Sequence, residues 1–135
     1  MKADVKWVEG NQFISTTEYG HQVLMDCTGE GGKAPTPMEM VLASIGSCSS
    51  VDVVSILEKA RQQVSGCQVK VQAERAPTAP RVFTSIHLHF IVTGTDIAEK
   101  HLARAVSLSA DKYCSVAKML EGKVEIGHSY EILAD

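Results

Sequence analysis

The stretch TPMEMVLASIGSCSSVDVVSILEKARQQV, residues 36–64, is the longest helical pattern in the chain and decides its fold. Thr36 suits the N-cap position, and Pro37 suits the first helical position. Glu39 completes a capping box, in which side chains and backbone N–H groups bond each other reciprocally. Gly66 is the residue at which we expect the helix to end. These signals predict one long helix with a well-defined start.

This long helix is apolar on nearly all sides. Between Met40 and Leu57 its only charged residue is Asp52. A helix of that kind is typical of a buried position rather than of a surface. We therefore expect it to lie under a sheet and against a second helix or a second subunit.

The rest of the chain shows strand and helix patterns on both sides of the long helix. Strands are predicted at DVKWVE, NQFISTTE and HQVLMDC before it, and at CQVKVQAER, RVFTSIHLHFIVTG and KVEIGHSYEIL after it. On the fifth strand the predicted inward positions are Val82, Thr84, Ile86, Leu88 and Phe90. A second helix, opened by an Asp96–Glu99 capping box, precedes a short helix that begins at Cys114. This order predicts an α+β fold with an antiparallel sheet, in a single domain over residues 1–135.

The composition is that of an ordinary globular protein. The chain has 135 residues, of which 44% are hydrophobic and 21% charged, and its net charge is −3. It contains no run rich in Lys and Arg, so we expect no nucleic-acid partner. We expect no membrane association, because no apolar stretch approaches the length that crosses a bilayer. The N-terminal residues lack the apolar segment of a secretory signal, so a cytoplasmic location is expected.

The cysteines differ in their sequence surroundings. None of Cys27, Cys48, Cys67 and Cys114 forms a C-x-x-C pair, which argues against a structural zinc site. Cys67 has the position of a packing residue on an alternating strand, and Cys27 ends a strand. Cys48 lies among small residues that leave room for a ligand or a second backbone. Cys114 lies at a predicted helix N-terminus, where backbone N–H groups lower the pKa of a thiol.

Two of these stretches resemble a known family. PTPMEMVLASIGSC together with KYCSVAKML resembles the OsmC/Ohr family of bacterial hydroperoxide-reducing proteins, and the P-M-E before Cys48 is similar to its YhfA-type branch. The resemblance covers nearly the whole chain. It implies an antiparallel sheet wrapped around a long buried central helix, plus a second helix, in an intertwined homodimer.

The resemblance also implies a chemistry. Cys48 would be the thiolate that attacks an organic hydroperoxide and becomes a sulfenic acid. Cys114 would then form a disulfide with Cys48, which a dithiol reductant would reduce, with no cofactor or metal. The alternative is a dimeric protein that binds a small apolar ligand or senses redox state without efficient peroxidase turnover.

The chain departs from the peroxidase branches of that family near the first cysteine. Those branches use an N-terminal arginine and a glutamate directly after the proline, but here Arg61 is the first arginine and Met38 follows Pro37. Glu39 is one position late, on the helix face opposite Cys48. Its capping role explains it without chemistry, although it remains a candidate beside the cysteines.

Asp52 is the other candidate beside Cys48. It follows by four residues and therefore lies on the same helix face. An unpaired carboxylate there would raise the pKa of Cys48, so either a cation neutralises Asp52 or Cys48 is not tuned as in the best peroxidases of the family. The candidates for that cation are Lys112, Arg81 and Arg104.

His87 and His89 share one face of the fifth strand. An H-x-H pair can bind a metal ion, but a third ligand is needed. We interpret the pair as part of a solvated strand face, and no metal site is predicted.

Overall fold

The computed structural model describes residues 1–135 and contains six strands, three α-helices and one π-helical segment. In chain order these are β1 (Ala3–Glu9), β2 (Gln12–Thr17), β3 (Gln22–Asp26), α1 (Pro37–Lys59), β4 (Gln63–Arg75), β5 (Phe83–Thr95), α2 (Glu99–Leu108), the π segment (Ser109–Tyr113), α3 (Ser115–Leu120) and β6 (Glu125–Ala134). Strands and helices of this mixture confirm the predicted α+β class.

The chain groups into two compact units, Met1–Val41 and Leu42–Asp135. A single domain over the whole chain therefore stays a prediction. In the first unit, β1, β2 and β3 form a three-stranded antiparallel sheet in that order. All residues of β1 are exposed to solvent.

The second unit contains a sheet in the order β4-β5-β6. β4 and β5 are antiparallel, but β6 pairs with β5 in parallel, with Leu88 opposite His128. The prediction of a wholly antiparallel sheet is wrong at this strand. Parallel neighbours need a long crossover connection. α2, the π segment and α3 together form that connection, so the chain returns in the direction of β5.

The start of α1 confirms the predicted capping box. The Glu39 backbone N–H donates to Thr36 Oγ1 over 3.1 Å, and the Thr36 N–H donates to Glu39 Oε1 over 2.9 Å. Two of the backbone donors left free at the helix start are thereby satisfied by side chains.

The end of α1 differs from the prediction. The helix ends at Lys59, because Arg61 adopts a left-handed φ of 59°. Gln62 N–H then bonds Leu57 O, and Arg61 N–H bonds Glu58 O, both over 2.9 Å, which is the Schellman pattern. The residues predicted to continue the helix to Gly66 instead begin β4, where they pair with the end of β5.

α1 buries one face, not its whole circumference. The buried positions follow helical spacing: Ile45, Gly46, Ser49, Val53 and Leu57. A Cβ at Gly46 would lie 3.1 Å from Val71 Cγ2 and 3.3 Å from Val69 Cγ1 on β4. Helix and sheet therefore approach each other closely at Gly46. On the other side of the helix, Val51 is 63% exposed.

α1 also has the length and composition of a membrane-crossing helix. It has 23 residues, and an 18-residue window in it reaches a mean hydropathy of 1.8. The expectation that no apolar segment is long enough to cross a bilayer was wrong by this measure. The serines and the single aspartate of α1 lower its mean hydropathy too little. Core helices of water-soluble proteins pass the same test, so the finding alone does not indicate a membrane protein.

The inward face of β5 differs from the prediction at its first residues. The buried side chains are Phe83, Ile86, Leu88, Phe90 and Val92, whereas Val82 and Thr84 are exposed. Glu74 of β4 pairs with Ser85, and the next residue, Arg75, pairs with Phe83. Thr84 therefore has no partner residue on β4 and is the extra residue of a bulge. A bulge of this kind reverses the alternation of side chains.

α2 begins without the predicted side-chain cap. Its N-cap is Ala98, whose N–H donates to Gln62 Oε1 over 2.8 Å, and Asp96 adopts a left-handed φ of 51° instead of capping. The predicted short helix is present as α3, directly after Cys114. The side chain of Gln62, from the connection between α1 and β4, therefore bonds the start of α2 in place of a local cap.

Candidate functional site

Cys114 is held at the start of α3 and is completely buried, with 0% of its surface exposed. It is the N-cap residue of α3, with an extended backbone, and its Sγ accepts a hydrogen bond from Ala117 N over 3.4 Å. The π segment ends directly before it, and Cys114 N–H bonds Ser109 O over 2.9 Å. Both backbone hydrogen bonds fix the position of this sulfur.

A residue of α1 reaches the same sulfur. Ser49 Oγ donates to Cys114 Sγ over 3.2 Å, and Ser49 is 2% exposed. Cys48, the residue before Ser49 on the helix, interacts with Cys114 as well and raises the pKa of its thiol. Both cysteines are free thiols, and Cys48 is half-buried. The structure thus places Cys114 against the helix residue that follows Cys48.

Burial raises the pKa of the Cys114 thiol above its ordinary value of 9.0. The hydrogen bonds from Ser49 and Ala117 act in the opposite direction, because they stabilise a thiolate, and the interaction with Cys48 raises the pKa further. The sequence-based expectation of a lowered pKa was therefore wrong. The helix N-terminus does donate to the sulfur, but loss of solvation outweighs it.

Asp52 has a hydroxyl partner instead of a cation. Ser109 Oγ donates to Asp52 Oδ2 over 3.0 Å and lies 3.4 Å from Ser49 O. Because Ser109 O also accepts from Cys114 N–H, this contact ties α1 to the turn that carries Cys114. Ser109 is fully buried and begins the π segment, a rare geometry that is frequent at functional sites.

None of the three predicted cations forms an ion pair with Asp52. Arg81 Nε donates to Ala76 O over 3.3 Å, and Lys112 Nζ lies 5.4 Å from the centre of the Tyr113 ring. Arg104 and Asp52 line the same cavity of about 500 Å³, together with Lys59, Ile56 and Leu108. Of the two alternatives, neutralisation of Asp52 by one of these cations is therefore not seen, and the carboxylate is bonded by the neutral Ser109 hydroxyl.

Cys67 is a third thiol, and the serine that affects its pKa is Ser50. It is half-buried on β4, and burial raises the pKa of its thiol, while a hydrogen bond with Ser50 acts in the opposite direction. The adjacent Ser49 and Ser50 thus act on two different cysteines. Cys27 is exposed after the end of β3.

The small residues around Cys48 now have physical explanations. Gly46 permits close packing on β4, and Ser49 and Ser50 each bind a sulfur. Neither Ser49 nor Ser109 was predicted from the sequence as a residue of the site. The spacing of Ser49, Val53 and Leu57 on one helix face was the signal that this serine points inward, whereas nothing in the sequence indicated Ser109.

Glu39 is engaged in the cap of α1. Its carboxylate oxygen accepts the Thr36 N–H, and the residue is exposed. This contact accounts for Glu39 by local structure, as the capping interpretation expects. A role for it beside the cysteines stays a prediction.

The two histidines of β5 share one hydroxyl across the parallel strand pair. His87 Nε2 lies 2.8 Å and His89 Nδ1 2.7 Å from Ser129 Oγ, and His89 Nε2 lies 3.6 Å from Glu131 Oε2. His87 is exposed, and His89 is partly exposed. No group of three or more His, Cys, Asp or Glu side chains has a metal-binding arrangement. The cluster is therefore a hydrogen-bonded network on an open sheet face.

Comparisons with known proteins agree with this architecture. A family model described as "OsmC-like protein" matches residues 29–129. The chain is 60% identical to Protein YhfA of Escherichia coli strain K12, over 99% of each chain. It is similar to a hypothetical protein from Aquifex aeolicus VF5, with 31% identity, a TM-score of 0.89 and coverage of 99% and 96% of the two chains. It also shares the fold of the organic hydroperoxide resistance protein OhrB of Bacillus subtilis, with 14% identity, a TM-score of 0.67 and coverage of 97% and 98%.

Proposed function

Because the chain belongs to the OsmC family, we propose that Cys48 and Cys114 form a redox pair that reduces organic hydroperoxides with electrons from a dithiol. The observation that carries the proposal is the hydrogen bond from Ser49, the residue after Cys48, to the buried sulfur of Cys114 over 3.2 Å, because it places Cys114 beside the helix that carries the half-buried Cys48. A sulfenic acid formed on one sulfur would lie in reach of the other.

Cys48 is the residue proposed to meet the peroxide. It is the more exposed of the two thiols, so a substrate reaches it first. Its thiolate attacks one oxygen of the O–O bond, which breaks, and the alkoxide leaves and takes up a proton to become an alcohol. Cys48 is thereby oxidised to a sulfenic acid.

Cys114 is proposed to resolve that intermediate. Its sulfur attacks the Cys48 sulfenic acid, a disulfide forms, and the hydroxyl group leaves with the thiol proton as water. An external dithiol then reduces the disulfide by exchange and is itself oxidised. The hydrogen bonds from Ser49 and Ala117 favour this attack, because they stabilise negative charge that develops on Cys114 sulfur.

The relatives support the reaction class only through the fold. The OhrB protein of Bacillus subtilis has hydroperoxide resistance in its name and shares the architecture at 14% identity. At that identity its activity does not transfer by similarity alone. The proposal therefore depends on the position of Cys114 beside the helix that carries Cys48.

A homodimer is part of the proposal. A single chain exposes large apolar side chains, among them Trp7 at 68% and Val51 on α1 at 63%. Exposed apolar surface of this kind is typical of a protein interface. Size-exclusion chromatography with light scattering is expected to give twice the mass of one chain.

A second function has one specific observation in its favour. No arginine precedes Arg61, and no cation is paired with Asp52, so a positive charge that would stabilise a thiolate is missing from these positions. The protein would then bind a small apolar ligand or sense redox state, with the Cys48–Cys114 disulfide as a slow signal. This alternative predicts disulfide formation without efficient catalytic turnover.

Turnover of cumene hydroperoxide with dihydrolipoamide separates the two functions. Under the peroxidase proposal, Cys48→Ser abolishes turnover, while the wild type forms a Cys48–Cys114 disulfide that peptide mass spectrometry detects. Cys67→Ser is the matched control and is expected to retain activity, because Cys67 lies on β4 with a different partner.

The opposing outcomes are equally specific. Full activity of Cys48→Ser would remove the peroxidase proposal. A wild type that forms the disulfide but turns over slowly with every dithiol supports the sensing function. Rapid turnover excludes that alternative.

A further inference from the structure

Ser129 of β6 has a hydroxyl group that lies between two histidines of the neighbouring strand. Its Oγ is 2.8 Å from His87 Nε2 and 2.7 Å from His89 Nδ1, and both are hydrogen-bond distances. The parallel pairing places Ser129 opposite His89, and alternation along β5 places His87 on the same face. This is the open face of the sheet, because the residue between the two histidines, Leu88, is buried.

Gly127 leaves the room that the His87 ring needs to reach this hydroxyl. It is the residue opposite His87 in the parallel pairing, and a Cβ there would lie 3.3 Å from His87 Nδ1. A side chain at this position would therefore press on the ring, as happens where a strand glycine allows another group to approach closely. The placement of His87 beside Ser129 thus has a basis in the backbone of β6.

One order of protons satisfies all of these side chains. Oε2 of Glu131 lies 3.6 Å from His89 Nε2, which is longer than a hydrogen bond but close enough for an electrostatic interaction. Its negative charge favours the tautomer of His89 with the proton on Nε2, so Nδ1 has a lone pair and accepts the Ser129 O–H. Ser129 Oγ then accepts the His87 Nε2–H. Ser129 therefore has a base on one side and a hydrogen-bond donor on the other.

A serine with these neighbours has the features of a nucleophile. A histidine can take the hydroxyl proton, a carboxylate favours the required tautomer of that histidine, and a second donor stabilises negative charge on the oxygen. Ser129 and His89 are both partly exposed, so a reactant in solvent can reach the hydroxyl.

A groove beside the cluster gives room for such a reactant. It has a volume of about 730 Å³, and both His87 and Gly127 line it. Gly127 precedes Ser129 by two residues, so the groove begins about 7 Å from the serine along the strand. The charged residues that line the groove, Glu74 and Glu125, are both acidic. The groove therefore favours a neutral or positively charged group over an anion.

We propose that Ser129 is a nucleophile for acyl transfer, with His89 as its general base, and that it accepts the acyl group of neutral or cationic esters bound in the groove. His89 Nδ1 takes the hydroxyl proton while Oγ attacks the carbonyl carbon of the ester. The bond from that carbon to the leaving oxygen breaks, and the leaving alcohol takes the proton from His89. Water then cleaves the acyl-serine in the same way, which releases a carboxylic acid and restores the hydroxyl. Glu131 is the positioning residue that fixes the tautomer of His89.

Reaction with p-nitrophenyl acetate tests this assignment in the full-length protein. The reaction is stopped with acid, and mass spectrometry of the β6 peptide locates the acetyl group. Ser129 is expected to be acetylated in the wild type, whereas Ser85, which lines the groove without a hydrogen bond to a histidine, is expected to stay unmodified. The mono-p-nitrophenyl ester of succinic acid has a carboxylate and is expected to acylate Ser129 about threefold more slowly.

Variants separate the base from the packing of the cluster. His89→Asn keeps a hydrogen-bond acceptor near the position of Nδ1 but has no base, and it is expected to lower acetylation by about tenfold or more. His128→Asn is the matched control and should have no effect, because His128 is next to Ser129 in the chain but lies on the other sheet face. Glu131→Gln is expected to lower acetylation about threefold, whereas Glu131→Asp keeps the charge and should retain most of it. Circular dichroism shows whether each variant is folded.

A wild type without an acetyl group on Ser129 would overturn the inference, and this measurement depends on no variant. Equal acetylation of the wild type and His89→Asn would also overturn it, because the serine would then react without its base. An equal fall in Glu131→Gln and Glu131→Asp removes the positioning role of Glu131. Equal rates with the acetate and succinate esters remove the assigned charge of the substrate. The readout is an ester on a serine, so it is independent of the redox chemistry proposed for the cysteines.

Discussion

The hydroxyl of Ser49 donates a hydrogen bond to the sulfur of Cys114 over 3.2 Å, although the two residues are 65 positions apart in the chain. Both are buried, so water does not replace either partner. Next to them, Ser109 connects Asp52 of α1 with the backbone that leads to Cys114. The cysteine is therefore held by two serines that come from different elements.

Ser109→Ala is expected to lower the free energy of unfolding by about 1–3 kcal/mol, because it leaves the Asp52 carboxylate without its hydroxyl donor. Urea denaturation measures the loss. Ser107→Ala, an exposed position on α2, is the control and should change stability little. Equal effects of both variants would contradict a specific role for Ser109.

Gly46→Val is expected to destabilise the protein by about 1–3 kcal/mol more than Ser47→Val. A Cβ at Gly46 would already lie 3.1 Å from Val71 Cγ2, so a branched side chain must push α1 away from β4. Ser47 is exposed on the same helix and carries the same penalty for a β-branched residue. Thermal unfolding of the two variants in parallel measures the difference, and a zero difference would refute the close packing.

Arg61→Gly is expected to stabilise the chain by about 0.5–1 kcal/mol, because Arg61 occupies a left-handed conformation that glycine adopts without strain. Lys59→Gly, inside the last turn of α1, is expected to have the opposite sign, with a loss of about 1 kcal/mol. Chemical denaturation measures both. Destabilisation by Arg61→Gly would show that α1 does not end in this way.

Alkaline pH is expected to reduce stability partly through Cys114. Its pKa is raised in the folded state, mainly by burial, so the unfolded chain loses this proton at lower pH than the folded chain. The contribution of Cys114 is therefore fully present below about pH 9 and is lost as pH rises through its folded pKa. Burial also raises the pKa of Cys67, so its contribution to stability is likewise lost at alkaline pH.

Unfolding free energies at pH 7, 8, 9 and 10 measure this dependence. Cys114→Ser carries a hydroxyl that does not titrate in this range and is expected to lose less stability toward pH 10 than the wild type. Cys27→Ser is the control. Because Cys27 is exposed, this substitution should leave the change of unfolding free energy with pH as it is in the wild type. A steeper loss in Cys114→Ser would contradict the raised pKa.

Features that depend on neighbours in the chain were predictable. The capping box of Thr36 and Glu39 forms as expected, and α3 begins directly after Cys114. The alternation of β4 is also correct, with Cys67 on its more buried side. Each involves residues only a few positions apart, whose hydrogen bonds and periodicity form within one element.

Features that depend on segments distant in the chain were not predictable from the sequence. Pairing with β5 turned the predicted end of the long helix into the start of β4, and the crossover made β6 parallel. A Ser109 hydroxyl, not a cation, is the partner of Asp52. Partners brought together by packing leave no periodic signal in the sequence.

The sequence by itself determined that this is an α+β chain with a long apolar helix carrying Cys48 and a short helix headed by Cys114. The tertiary structure alone decided that Ser49, the neighbour of Cys48, bonds the Cys114 sulfur and that burial raises the pKa of Cys114. The physical reason is that a helix start and its N–H donors are local, whereas desolvation depends on every segment that packs around the sulfur.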